Sequence, residues 1–404
     1  MNPRHVRDAL VVIALVVICA AAFVLDTLLM RAMTERLQMN DFGKFYYSTR
    51  AFLDGRDMYA PSPATNLRFE NTPDLQYLNM NPPHFHLLVL PLSTLEPRYA
   101  VAVWMAVSVF ALIVSLLLIA REIPIKWNSV RVMAAVCGVL AFAGTQAFFL
   151  TGQISMLLML AMTLCWRDAR RGRWGAAGVW LGVCSSVKPF VLIFLPYLLA
   201  TRRFRAAGVA LVTAASCFAI GVLVFGVQNS LSWYRALSQS GDWAWAEMNA
   251  SAFGFFRRVF DTQPIAPPVL VKPQLVKLWM AAAGVIGGVT LVVAATDKSS
   301  SAVDRAFAML LIAALLISPL GWIYYMTVVA GPVAAVVFEP RPHGRHGWLS
   351  IGIGTVAAVG LLWPHPLLGA FQPSRWATLV FTSAYFWAAL AAWMWLALYR
   401  WDQA

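Results

Sequence analysis

Acidic residues are scarce in this chain, with 18 Asp and Glu against 31 Lys and Arg among 404 residues. Charged residues together make up only 12%, while 60% are apolar. That balance excludes an ordinary soluble protein and makes lipid the principal solvent. Cysteine is also sparse: Cys19, Cys137, Cys165, Cys184 and Cys217 all fall in apolar runs and form no Cys-x-x-Cys pair. Neither a disulfide framework nor redox chemistry is expected. No internal repeat, low-complexity tract or detachable soluble domain is evident, so residues 1–404 read as a single transmembrane domain. The net charge of +13 could point to nucleic acid, but the basic residues sit in short clusters between apolar runs. Such clusters set membrane topology, and no nucleic-acid partner is expected.

A span needs about 20 apolar residues, fewer where a bundle is locally thin. Twelve runs qualify, near 9–29, 99–120, 132–150, 153–166, 174–188, 190–200, 206–226, 274–295, 304–318, 322–338, 348–363 and 376–399. The first is too long for a signal-peptide core and lacks a small-x-small cleavage site, so it reads as a retained span. Lys188-Pro189 breaks the fifth and sixth into a kinked pair. With the N-terminus cytoplasmic, Arg167 to Arg173, Arg202 to Arg205 and Arg341/Arg345 all lie inside, whereas the short outer loops hold only Arg375. The positive-inside rule therefore expects both termini in the cytoplasm. His84 to Leu95 is too short for a span and contains Pro91, and is expected as an interfacial or re-entrant helix outside. Two long outer segments remain, 31–98 and 227–272.

Polar chemistry collects on that outer face. The stretch Asp41-Phe-Gly-Lys-Phe-Tyr-Tyr-Ser-Thr-Arg50 fits an amphipathic interfacial helix with Asp41 at its start, either as a cap or as an acid–base group. Asn81-Pro82-Pro83-His84 reads as a rigid loop entry. Thr151-Gly-Gln-Ile-Ser155 and Ser318-Pro-Leu-Gly-Trp-Ile-Tyr-Tyr325 are outer turns, the latter's aromatics being possible members of the interfacial belt. A lysine at the bilayer centre costs about 2.5–3.5 kcal/mol on insertion scales, so Lys188 must snorkel, pair or meet an anion. Arg257 and Arg258 beside Phe255 and Phe256 suit either a lipid phosphate or an interfacial anchor. No metal site is expected. His84 and His86 diverge on one helix, His343 and His346 have no acidic partner, and the first loop has no Asp-x-Asp pair.

The ordered set Asp41-Phe-x-x-Phe-Tyr, Asn81-Pro-Pro, Leu88-x-x-Pro-Leu, Gly152-Gln153, Lys188-Pro189, Asn249-x-Ser-x-x-Gly-x-x-Arg257 and Ser318-Pro-x-x-Trp322 resembles glycosyltransferase family 87. The resemblance runs in order from the first outer loop to about residue 330. It implies an all-α GT-C fold of about twelve transmembrane helices with interfacial helices in the first outer loop. It also implies a polyprenyl-phosphate-sugar donor, a lipid or glycan acceptor and no cofactor. The site would lie on the extracytosolic face of a bacterial cell membrane. Asp41 matches the family's loop aspartate, the general base, while Lys188 and Arg257, with Arg258 beside it, match basic positions near the donor phosphate. Lys44, Tyr46, His84, Gln153, Asn249, Trp322, Tyr324 and Tyr325 are the expected substrate contacts. Two positions depart from the family pattern. Ser155 stands where an Asn is common, and Tyr324-Tyr325 where histidines follow the Trp, so the sugar or acceptor preference is expected to differ.

The expected reaction is transfer of a sugar, mannose or else arabinofuranose or another pentose, with the aspartate as base and no metal. Two other classes compete: a transporter or flippase for a lipid-linked or small solute, and a polymer ligase using a pyrophosphate-linked chain. A transporter would show related halves and more ionisable residues at mid-membrane, whereas Asp26 and, at the first position of its run, Asp304 are the only acids in the expected spans.

Overall fold

Long apolar runs leave the backbone no polar solvent, so its amides and carbonyls must pair within each segment, which favours helices. A computed structural model describes residues 40–60, 62–63, 76–77, 79–238, 240–261, 274–339, 347–362 and 375–398. The expected first span with Cys19 and Asp26, and the loop histidines His343 and His346, lie outside the described residues.

The helices are α1 (Asn40–Leu53), α2 (Pro97–Glu122), α3 (Ser129–Ala141), α4 (Ala143–Thr151) and α5 (Ser155–Arg170). Next come α6 (Trp174–Val187), α7 (Phe194–Ala200), α8 (Phe204–Leu237), α9 (Ala252–Phe260) and α10 (Leu275–Thr296). The last are α11 (Ala302–Ile317), α12 (Ala330–Val337), α13 (Gly347–Leu361), α14 (Arg375–Thr382) and α15 (Ala384–Leu398). A minimal antiparallel pair, β1 (Ser62–Pro63) with β2 (Gln76–Tyr77), also forms between α1 and α2. The chain is an all-α membrane protein in its architecture. Among the described residues three helices, α2, α8 and α10, are long and apolar enough to cross a membrane, and α3 with α4 makes a fourth if the pair, bent by 54°, is one span. The other expected spans among the described residues are occupied by shorter helices or by helix pairs.

Several breaks fall where the sequence places them. Lys188 ends α6 in an extended conformation, and a 3-10 turn, Pro189–Ile193, leads into α7. Gly226 interrupts α8 with φ 84°, a left-handed conformation that costs glycine little, at the boundary between the expected span and the second outer segment. The stretch His84 to Leu95 differs from expectation. It forms two 3-10 turns, Pro83–Leu88 and Leu92–Thr94, in place of one interfacial helix, and His84, Phe85 and His86 are buried. Pro82, Pro83 and Pro91 supply no backbone N–H, which breaks a continuous helical ladder.

The bundle is held by two kinds of contact. Small residues bring helices close: a Cβ on Gly182 would meet Ala210 O at 2.5 Å, and one on Gly178 would meet Ala206 O at 2.6 Å, so α6 and α8 touch through a Gly-x-x-x-Gly face. At the centre is α11, buried from Asp304 to Leu316 on every side. One end of the bundle carries a network of charge. Glu122 at the end of α2 accepts from Arg167 (2.9 Å), Arg170 (3.3 Å) and Arg171 (2.7 Å), while Asp304 at the start of α11 accepts from Trp166 (2.8 Å) and Arg170 (3.0 Å). From that end α5 runs back to Gln153, α6 forward to Lys188 and α11 forward to Ser318. These three helix ends therefore meet at the opposite pole, where the cavity described below opens.

Candidate active site

Helix α1 is amphipathic by spacing. Phe42, Phe45, Tyr46 and Thr49 follow one face and are buried. Phe42 packs at 5.4 Å from the ring of Trp104, and Phe45 at 4.8 Å edge-on to Phe85. Trp104 in turn donates to Gly152 O at 2.8 Å, so one aromatic holds both α1 and the turn that carries Gln153. With that face fixed, Asp41 and Lys44 fall together at the other edge of the first turn and form an ion pair.

They face a cavity of about 680 Å³, lined by Asp41, Lys44, Gln153, Lys188, Trp322, Tyr324 and Tyr325, together with Asn79, Asn81, Trp243 and Ser318. Lys188 donates to Asn81 Oδ1 at 2.7 Å and its ammonium lies 5.2 Å from the centroid of the Tyr325 ring. The charge of Asp41 acts on Lys188, Tyr324 and Tyr325, which places carboxylate, ammonium and phenols in one electrostatic unit. Gln153 bridges the two tyrosines: its Nε2 donates to Tyr324 Oη at 3.4 Å, and Tyr325 Oη donates to its Oε1 at 3.4 Å. Trp322 stacks on Tyr324 with ring centroids 6.0 Å apart. The result is a pocket in which a carboxylate and two lysines meet an aromatic wall. Among the described residues, no three His, Cys, Asp or Glu side chains cluster as metal ligands.

Five of the expected site residues lie off the cavity lining. Tyr46 donates to Leu95 O at 2.7 Å, and His84 bonds to Ser186 Oγ at 3.1 Å while stacking edge-on to Phe218. Asn249 knots its own segment, between α8 and α9, to the turn before Trp322. Its Nδ2 donates to Ala244 O (2.8 Å) and Pro319 O (2.9 Å), and its Oδ1 accepts from Ser251 N (3.1 Å) and Gly321 N (2.9 Å). Arg257 pairs with Asp261 at 2.7 Å. Arg258 is buried and donates to Ser383 Oγ, Trp245 O, Ala246 O and Asn249 O at 2.9–3.2 Å. Burial lowers its pKa to about 9, with the nearby Glu247 charge opposing the shift. These residues set the shape of the loop against the cavity.

Asn79, Asn81, Trp243 and Ser318 were not singled out as contacts from sequence. Asn81 and Ser318 open quoted motifs, so their motif membership was the available signal. Asn79 lies outside helix and strand and Trp243 ends a short 3-10 turn, Ser240–Trp243, and neither has a periodicity to mark it.

Over 235 residues the chain is 28% identical to a polyprenol-phosphate-mannose-dependent alpha-(1-2)-phosphatidylinositol pentamannoside mannosyltransferase of Mycobacterium tuberculosis (strain CDC 1551 / Oshkosh), covering 56% of this chain and 49% of that protein. The chain thus spans about half the length of the curated relative it matches. No solved structure matches significantly. The model for glycosyltransferase family 87 matches residues 79–320, a range that takes in Asn81, Gln153, Lys188, Asn249 and Ser318 but begins after Asp41. With more than half its length inside that match, the chain belongs to glycosyltransferase family 87.

Proposed function

We propose that the chain transfers a sugar from a polyprenyl-phosphate carrier to a lipid- or glycan-linked acceptor at the extracytosolic face of a bacterial cell membrane. One observation carries this reading: a carboxylate, Asp41, and two ammonium groups, Lys44 and Lys188, line one cavity at the pole of the bundle away from the arginine network. The name of the mycobacterial relative favours mannose over arabinofuranose or another pentose, and a glycolipid as acceptor. A twelve-span GT-C arrangement with both termini cytoplasmic fits this placement, since it puts the arginine end inside and the cavity outside.

In the proposed reaction Asp41 takes the proton of an acceptor hydroxyl while that oxygen attacks the anomeric carbon. The bond from the same carbon to the phosphate oxygen breaks, and polyprenyl phosphate leaves with the electron pair. Attack opposite the leaving group inverts the anomeric centre. A positioned base contributes about 10²–10⁴-fold. Lys188 meets the charge that develops on the phosphate, which in a site shielded from water is usually the larger contribution. Cations held in place supply that charge, so the reaction as written needs no metal ion or cofactor.

The test is sugar transfer by purified protein in lipid nanodiscs, with labelled polyprenyl-phosphate mannose or arabinose and extracted membrane glycolipids as acceptors. A labelled glycolipid formed by the wild-type chain and lost in Asp41→Asn is expected. Failure to transfer from either monophosphate donor, or transfer only from a pyrophosphate-linked donor, would overturn the proposal.

A further inference from the structure

A chain of hydrogen bonds runs from the helix of Asp41 to Lys188, and every one of its links has a defined direction. It starts at the Phe45 carbonyl, to which Thr49 Oγ1 donates at 2.8 Å. Thr49 has spent its only proton there, so its oxygen accepts from His86 Nδ1, 2.8 Å away. At the far end the Lys188 ammonium can only donate, so the atom 2.7 Å from it is Asn81 Oδ1 and the Asn81 Nδ2 points back. That Nδ2 lies 3.2 Å from Asn79 Oδ1, which also accepts from the backbone N–H of Asn81 at 3.0 Å. A backbone amide cannot accept, so Asn79 cannot be turned over. Its Nδ2 therefore points at Ser48 Oγ (2.9 Å) and at His86 Nε2 (2.8 Å). His86 Nε2 must then carry the lone pair, which agrees with Nδ1 carrying the proton toward Thr49.

The two ends thus fix the middle independently, and they agree on one tautomer of His86 and one orientation of each asparagine. Thr49 and His86 are fully buried and Asn79 and Asn81 at most 5% exposed, so water does not substitute for a partner lost at the imidazole. The backbone around Asn81 is also held: Tyr59 Oη donates to Asn81 O at 2.6 Å, and Trp233 donates to Met80 O at 3.1 Å. Burial keeps His86 neutral, with its pKa lowered to about 3.

We propose that His86 is a positioning residue for Lys188: acting through Asn79 and Asn81, it aims the acceptor that holds the Lys188 ammonium in register with the helix of Asp41. This rests on the reading of Lys188 as the cation that meets the donor phosphate. His86 touches no substrate. Its removal would leave the Asn79 amide with Ser48 Oγ as its one acceptor and slacken the side chain against which the Asn81 amide is aimed.

Two amide substitutions separate the halves of the imidazole. His86→Gln extends far enough to keep a partner for Asn79, whereas the shorter His86→Asn reaches only Thr49. Binding of a polyprenyl monophosphate without sugar is measured by isothermal titration in nanodiscs, for these variants, for Lys188→Met and for the combinations with it. His86→Asn is expected to bind about tenfold more weakly and His86→Gln within about threefold of wild type. In the Lys188→Met background, His86→Asn should add no further loss, because it acts only through that lysine. A merely structural histidine would give equal losses for Gln and Asn, or a loss in His86→Asn that persists without Lys188, and either result overturns the inference. Should His86→Asn fail to fold, Asn79→Leu in the same cycle carries the test with the same expectation. Absence of phosphate binding by the wild-type chain would instead overturn the functional reading and the inference with it. Weak binding in Lys188→Met with normal binding in His86→Asn would overturn the inference alone.

Discussion

The Lys188 ammonium and the Asn81 side-chain oxygen meet at 2.7 Å from positions 107 residues apart, at the break between α6 and the Pro189–Ile193 turn. Because Asn81 is neutral, this contact holds the ammonium without cancelling its charge, which leaves the cation available to an anion. Lys188→Ala is expected to weaken polyprenyl phosphate binding by about tenfold or more. Arg257→Ala should leave binding near wild type, since Arg257 is engaged with Asp261 and lies off the cavity. Titration of the two variants side by side checks the pair; equal losses would move the phosphate toward α9.

Asp41→Asn separates a base from a helix cap. Asparagine accepts a backbone hydrogen bond about as well as aspartate but takes no proton at neutral pH. Turnover is expected to fall by about two orders of magnitude, with expression and donor binding retained. Asp54 pairs with exposed Arg56, and Asp57 accepts from Ser232 at 2.8 Å and from Tyr59 N at 2.9 Å. Asn at either position should leave turnover within about threefold of wild type, because neither lines the cavity. Single-turnover transfer assays would expose a misassignment as a larger loss at Asp54 or Asp57 than at Asp41.

What the sequence disclosed follows from which forces are local. Helix α1, the break at Lys188-Pro189 and the end of the span at Gly226 are written in periodicity, proline and glycine, and each falls where its residues place it. Ordered motifs also point to Asp41, Gln153, Lys188 and Trp322, which share the cavity with Tyr324 and Tyr325, the two tyrosines that depart from the family pattern. The roles of Asn249 and Arg258 were not legible. A polar residue in an ordered motif of an expected outer segment reads as a ligand contact, but the Asn249 side chain spends all its hydrogen-bonding capacity on four long-range or loop partners. Only the tertiary fold brings Ser383 within reach of Arg258, across 125 residues. The His86 relay was hidden for the same reason, since Thr49, Asn79 and Asn81 belong to separate segments and none has a periodic signature.

Arg258 should behave as a structural cation. It is 5% exposed and donates to three backbone carbonyls and one serine hydroxyl, so lysine cannot reproduce its planar set of donors. Arg258→Lys is expected to cost about 2–3 kcal/mol, from carbonyls left without partners. A lower thermal unfolding midpoint with donor affinity retained in the folded fraction is the expected outcome. Full stability with lost phosphate binding would instead assign Arg258 to the donor.

Acid should destabilise the chain through two buried histidines that lie outside the membrane-crossing helices. Burial lowers the pKa of His84 to about 4 and that of His86 to about 3, from an ordinary value of 6.5. Between these values the unfolded chain binds more protons than the folded one, so stability rises with pH. It is fully present above about 6.5 and declines as pH falls toward 4, by at most about 1.4 kcal/mol per pH unit for each histidine. Thermal unfolding between pH 7.5 and 5 would reveal the slope. His86→Gln and His84→Gln should each flatten it, and an unchanged slope in both would place the proton uptake elsewhere.

The tyrosine pair should divide donor from acceptor. The Tyr325 ring lies beneath Lys188, whereas its hydroxyl reaches Gln153 at 3.4 Å, so ring and hydroxyl serve different neighbours. Tyr325→Phe keeps the aromatic face under the ammonium and removes only the polar tip. Donor binding is therefore expected within about twofold of wild type, because the attraction between a cation and a ring survives the substitution. The hydroxyls of Tyr324 and Tyr325, joined through Gln153, are the main neutral polar groups on the aromatic wall, and an acceptor sugar is recognised by such donors and acceptors. Loss of one of them leaves a partner unpaired, a penalty of about 1–3 kcal/mol in a buried site. Tyr325→Phe and Tyr324→Phe should each raise the acceptor KM by about fivefold or more while the donor KM holds. Tyr325→Ala removes the ring as well, and donor binding should fall with it. A Phe variant that loses donor affinity but keeps its acceptor KM would reverse the assignment and put the phosphate against the phenols.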